Sequence, residues 1–203
     1  MWGRDDSTAK DVGLLALRLV TGGLLAGHGA QKLFGAFGGF GLEGTAGWLE
    51  SMGLKPGKTW AMLAGGGEFG SGLLMALGFL TPLGAIGSFG PMATAWAKVH
   101  AGKPIWVTSG GAELPLTNMA VATALALTGP GRYSLDGMLG IEVPTALVAL
   151  AAAGVAAGVV ASAVAQPEPS EPQANEAGGE LQAGEDAGGS GADTALGESS
   201  AGA

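Results

Sequence analysis

No cysteine occurs in the chain, which excludes disulfides, thiolate catalysis, cysteine-ligated iron–sulfur clusters and zinc thiolate sites. Any redox chemistry must therefore come from a bound cofactor or a partner. Charge is also scarce. Only 13% of the 203 residues are charged, against 47% hydrophobic, and the mean hydropathy is +0.38. That balance belongs to the membrane class. Basic residues are the scarcer sign, nine against 17 acids for a net charge of −8. The imbalance is regional: residues 167–203 hold eight acids and no base, leaving nine of each in the rest. No basic face forms, so nucleic acid is excluded as a partner. With two histidines and no cysteine, no metal site is expected. The opening "MWGRDDSTAKD" is too polar and acidic for the start of a cleavable signal, so insertion falls to the first spanning helix.

What is present is a series of apolar runs. Residues 12–31 are apolar apart from Arg18, Thr21, His28 and Gln31, and at about 1.5 Å per residue they cover a bilayer core of about 30 Å. A second run, Thr59 to Leu80, contains one charge, Glu68. Thr81-Pro82 forces a turn, and Leu83 to Val99 makes the third. The fourth, Glu113 to Thr128, stops at Gly129-Pro130-Gly131. Val143 to Ala165 is a fifth run without charge, read as an added C-terminal transmembrane anchor, with an interfacial or loosely packed helix as the alternative.

The fold class is therefore all-α: an integral membrane four-helix bundle with an additional C-terminal helix. The chain divides into a polar segment 1–10, a four-helix membrane domain 11–140, an extra hydrophobic helix 141–166 and an acidic tail 167–203. The tail lacks aromatic and branched residues in any number and is expected to be disordered. Between spans one and two, Leu42, Ala46, Leu49 and Met52 recur at helical spacing beside Glu43 and Glu50, which predicts an interfacial amphipathic helix. Trp48, Trp60, Trp96, Trp106 and Tyr133 fall near helix ends, as belt residues do. Gly66 and Gly70, and Gly22 with Gly29, offer small faces for close helix approach. Lys32, Lys55, Lys58, Lys98 and Lys103 fall on one side against Arg4, Lys10 and Arg132 on the other. The positive-inside rule then puts the first side in the cytoplasm.

The polar residues inside these runs carry the functional argument. On an ideal helix Arg18, Thr21, Leu25, His28 and Lys32 share an arc of about 80°. A charge in the bilayer centre costs about 2.5–3.5 kcal/mol on insertion scales, so each needs a partner or water. Spans one and three end where spans two and four begin, which gathers His28, Lys32, Lys98, His100 and Glu113 at one face, with Glu68 and Arg18 deeper. Taken singly, Lys32, Lys98 and Lys103 fit snorkelling interface charges. Glu68 is the foremost candidate because Gly65, Gly66, Gly67 and Gly70 clear space around it; its alternative is a structural ion pair with Arg18. The candidate quinone or proton pocket comprises Arg18, His28, Gln31, Lys32, Glu68, His100 and Glu113.

A first helix ending "GHGAQKLFG", a second carrying "GGGEFGSGLLMALGFLTP", a third ending "MATAWAKVH", then "GGAELPL" and "GPGRYSLD", together resemble the DoxX family of small integral membrane proteins. The resemblance covers about residues 11–140; the fifth run and the tail depart from it. It implies kinship with the small membrane subunit of a thiosulfate:quinone oxidoreductase. It also implies association, in some members, with a superoxide dismutase and a thiosulfate sulfurtransferase, while distant relatives act as membrane chaperones or cargo receptors. The family motifs also include Arg132, Ser134 and Asp136, read as a structural turn in which Ser134 or Asp136 caps a segment or pairs with Arg132.

Two functions follow as expectations. The first is a multi-pass cell-membrane subunit of an oxidoreductase assembly, non-autonomous, interacting with quinone and linked to sulfur or oxidative-stress chemistry, with soluble redox partners supplying electrons. The second is a non-catalytic anchor, chaperone or assembly factor. Lipid bilayer and a homo-oligomeric copy complete the expected partners. A haem held by His28 and His100 is disfavoured because His100 lies too close to a helix end.

Overall fold

The computed structural model describes residues 6–166, and every regular element among them is helical. The tail expected to be disordered, 167–203, lies outside the described residues, as do the first five of the polar segment 1–10. The rest of that segment is already helix. Helix α1 (Asp6–Leu17), a π-helical segment (Arg18–Gly22) and α2 (Gly23–Phe34) form one rod. There follow α3 (Gly41–Ser51), α4 (Gly57–Leu77), α5 (Thr81–Ala95) with a π-helical extension (Trp96–His100), α6 (Glu113–Thr128), α7 (Leu135–Leu139) and α8 (Thr145–Val164). The five apolar runs thus become the α1–α2 rod, α4, α5, α6 and α8. By length and apolarity, the rod Ser7–Phe34 and helix Thr145–Val164 are able to cross a membrane.

The helix boundaries have local causes. Gly78 ends α4 at φ +61, a left-handed conformation that costs an L side chain about 1–2 kcal/mol. Pro82 sits in the first turn of α5, where a missing N–H loses no helical bond. Ser134 caps α7 by accepting from Gly137 N at 3.0 Å, which satisfies one of the free N–H groups of the first turn.

Packing closes a ring of four rods. α2 lies on α4, α4 on α5, α5 on α6, and α6 returns to the π segment of the first rod. Leu14, Leu25, Met75, Ala85, Met92, Ala122 and Leu125 form the shared core. Gly22 and Gly29 let the first rod sit directly on α4, because a Cβ at Gly29 would strike the backbone of Gly65 and Phe69. Gly66 and Gly70 differ from expectation: a Cβ on either meets nothing within 4 Å. They face away from the bundle, since one helix has several faces and spacing alone does not choose among them.

The amphipathic helix expected after span one is α3, which lies on α2 and α4. Ala46 and Leu49 are buried with Leu54 and Ala61, while Leu42, Met52, Trp60 and Ala165 pack around them. Its acids face outward into polar contacts. Glu43 pairs with Lys58 at 2.7 Å and Glu50 accepts from Gly57 N at 2.8 Å. Helix α8 packs on α5 and on the π extension of α5.

Candidate functional site

The site grows from the close contact of α2 with α4. Lys32 occupies the last turn of α2 and Glu68 lies midway along α4, where it is buried. Side chains on a helix lean toward its N-terminus. The two helices run antiparallel, so Lys32 leans into the bundle and Glu68 leans back toward it. Lys32 Nζ donates to Glu68 Oε2 at 2.5 Å, with Lys32 27% exposed and Glu68 5%. Lys32 therefore turns inward rather than snorkelling. Thr45 Oγ1 of α3 donates to the Lys32 carbonyl at 3.2 Å and fixes α3 over this end.

The ion pair lines a cavity of about 510 Å³ bounded by α3, α4, α5 and α8. Its surface is overwhelmingly apolar, with Trp48, Met52, Trp60 and Leu63 prominent. Lys98 and His100 also line it. Lys98 donates to the Ala165 carbonyl, and His100 Nδ1 donates to the Gly110 carbonyl at 2.6 Å. A second cleft of about 500 Å³, lined by Gln31, Phe40 and Gly44 among others, shares Lys32, Thr45 and Trp48 with the first. The ion pair thus borders both spaces through Lys32.

The other sequence-derived candidates do not line the main cavity. His28 is exposed, and its Nδ1 lies 3.1 Å from Gln31 Oε1. Gln31 lines only the second cleft and donates to the Phe37 carbonyl at 3.5 Å. Glu113 does not join Glu68: its Oε2 accepts from Val107 N at 2.8 Å and holds the loop before α6. Among the described residues no three His, Asp or Glu gather as a metal set.

Arg18 forms no ion pair with Glu68. It lies 14 positions before Lys32, about 21 Å along a helical axis, and is fully buried toward the other end of the bundle. There its guanidinium donates to the Tyr133 carbonyl and packs where a side chain on Gly78 would stand. Asp136 comes to the same region but does not pair with Arg132. Its carboxylate accepts from Leu80 N at 2.8 Å, Thr81 N at 2.9 Å and Thr81 Oγ1 at 2.9 Å. Arg132 bonds only through its backbone here, its N–H donating to Asp11 Oδ1 at 3.0 Å. The turn residues thereby bind the α4–α5 corner to the segment after α6.

Sequence reasoning missed Pro91. It lies inside α5 and lines the cavity with Gly87, four residues earlier. Proline has no N–H, so the Gly87 carbonyl receives no α-helical bond from it. The signal was visible in "SFGPMATA" as a proline within an apolar run. The π segments, in contrast, have no local sequence mark.

Helix α8, expected as an added anchor, also gives Gly154, Val155, Gly158 and Val159 to the cavity wall. No curated protein and no solved structure matches the chain. Residues 13–101 match the DoxX family model, a segment from α1 through the π extension of α5, so α6, α7 and α8 lie beyond it. That segment is similar to the DoxX family and holds the "GHGAQKLFG" and "GGGEFGSGLLMALGFLTP" motifs.

Proposed function

We propose that this chain is a multi-pass cell-membrane subunit of an oxidoreductase assembly, and that its cavity takes a quinone headgroup beside Lys32 and Glu68. The observation that carries this reading is an ion pair, fixed from two helices, on the wall of an apolar cavity of about 510 Å³. Few polar groups set in an apolar concavity of this size are the usual form of a small-molecule site. The donor set fits a quinone: the Lys32 ammonium has three N–H groups, and Glu68 Oε2 uses one of them. When bound, the quinone supplies acceptor chemistry for electrons and protons. Lys32 would orient a carbonyl oxygen of the headgroup by a charge-assisted bond, and Glu68 would supply a proton-holding carboxylate on the same wall. Trp48 and Trp60 exclude water from the ring. A soluble partner delivers the electrons, since the chain has no cysteine to supply thiolate redox chemistry.

The test uses the full-length protein in nanodiscs and a tail-less benzoquinone, with tryptophan quenching as readout. Saturable quenching that depends on Trp60 is expected. Lys32→Met weakens binding by about tenfold or more, the worth of one charge-assisted hydrogen bond. Absence of saturable quenching, or unchanged binding in both Lys32→Met and Glu68→Gln, overturns the reading and leaves the anchor or assembly role.

A further inference from the structure

The residues that α8 contributes to the cavity, Gly154, Val155, Gly158 and Val159, fall on one face of the helix. In lipid, a pair of glycines four apart ordinarily lets two backbones touch. Here it does not. A Cβ placed on Gly154 or Gly158 meets no atom within 4 Å, so both glycines border open space. Gly87, Gly90 and Pro91 of α5 line the same cavity, and a Cβ placed on Gly90 would stand 3.8 Å from Val155 of α8. The helix is fastened farther along: Thr94 Oγ1 and Ser162 Oγ stand 3.0 Å apart, and Lys98 donates to the Ala165 carbonyl. Pinned there and lacking side chains at 154 and 158, α8 leaves a strip of space beside α5. That strip is continuous with the cavity that holds Lys32 and Glu68.

We infer that the strip is a slot for the apolar chain of a single-chain amphiphile whose polar head sits at Lys32 and Glu68. The inference rests on the quinone reading for the head and adds a tail subsite made by α8, which lies outside the family match. A cavity with one charged pair and a glycine-lined apolar strip has the two-part character of such a ligand. In a bilayer the tail gains no hydrophobic transfer on entering the slot, because lipid is already apolar. The slot acts by packing and by orienting the head, so the position of the tail is the quantity to measure.

The experiment uses the full-length protein in phosphatidylcholine–phosphatidylglycerol nanodiscs and a benzoquinone carrying a diazirine on a prenyl tail. Photolabelled positions are mapped by peptide mass spectrometry. Labels are expected at residues 154–159 and 87–91, and an excess of unlabelled long-tailed quinone should compete for them. The pair Gly154→Leu and Gly158→Leu should lower labelling of α8 by about fivefold or more, because two leucines fill the strip by steric overlap. Binding of tail-less benzoquinone and helical content should be unchanged, and Gly158→Ala should give an intermediate loss. Labelling indifferent to the leucines, with tail-less binding intact, overturns the slot and spares the head site. Failure of the unsubstituted protein to bind tail-less quinone overturns both. If a diazirine phospholipid labels the strip and quinone does not compete, the slot belongs to bilayer lipid and the inference falls.

Discussion

Lys32 and Glu68, 36 positions apart in the chain, meet at 2.5 Å in the interior of the bundle. The contact depends on Gly29, whose missing side chain lets α2 rest on the backbone of α4 at Gly65 and Phe69. With any larger residue there, the axes would separate and the ammonium would lose the carboxylate. One small residue thus sets the geometry of a charged pair one turn away.

Removing one partner should cost more than removing both. Lys32→Met leaves a buried carboxylate without its cation, an effect of about 3–5 kcal/mol in buried pairs. Lys32→Met with Glu68→Gln should recover part of that loss. Thermal unfolding in detergent, followed by circular dichroism, checks the order of the three proteins. A double variant as unstable as the sum of the singles would contradict a direct pair.

Glycines of the same helix should respond oppositely to alanine. Gly72→Ala drives a methyl into the Ala26 and Gly22 backbones of the facing rod and should cost about 1–3 kcal/mol as overpacking. Gly66→Ala meets open space and should be neutral or stabilising by up to about 1 kcal/mol through helix propensity. Unfolding midpoints of the two variants decide the matter, and equal losses would mean that Gly66 also faces a partner helix.

Asp136 should behave as a fastener of the α4–α5 corner. Asp136→Ala strands the N–H groups of Leu80 and Thr81, and buried donors without partners cost about 1–3 kcal/mol each. Limited proteolysis should then cut near residues 78–82 faster than in the unsubstituted protein. Unaltered cleavage there would show that the corner holds without the carboxylate.

The histidine of the "GHGAQKLFG" motif should matter less than its neighbour. His28 is exposed and does not line the main cavity, so His28→Ala should change quinone binding by no more than about twofold, as expected of a group that gives no wall to the cavity. Lys32→Met and Glu68→Gln should combine non-additively in the same titration. A large His28 effect coupled to Glu68 would move the site toward the second cleft.

The helical runs, their approximate ends, the amphipathic α3 and the scarcity of buried charge were legible in the sequence. Hydrophobic periodicity and turn residues such as Thr81-Pro82 and Gly129-Pro130 act locally and leave a linear trace. The need of Glu68 for a partner was legible too, because an acid in a glycine-rich apolar run cannot stay unpaired in an apolar interior. Which partner it finds depends on depth, rotation and helix neighbours at once. Arg18 and Lys32 share an ideal helical face, yet the π segment Arg18–Gly22 interrupts the periodicity between them. Only the packed bundle sends Arg18 to the Tyr133 carbonyl and Lys32 to Glu68. Likewise Gly22, Gly29, Gly66 and Gly70 read alike in sequence, and the tertiary structure alone separates those under a backbone from those facing open space. The wall that α8 adds to the cavity is of the same kind. Its apolar composition follows from its sequence, but the distance of Gly154 and Gly158 from their neighbours is a property of how the helix is fastened at Ser162.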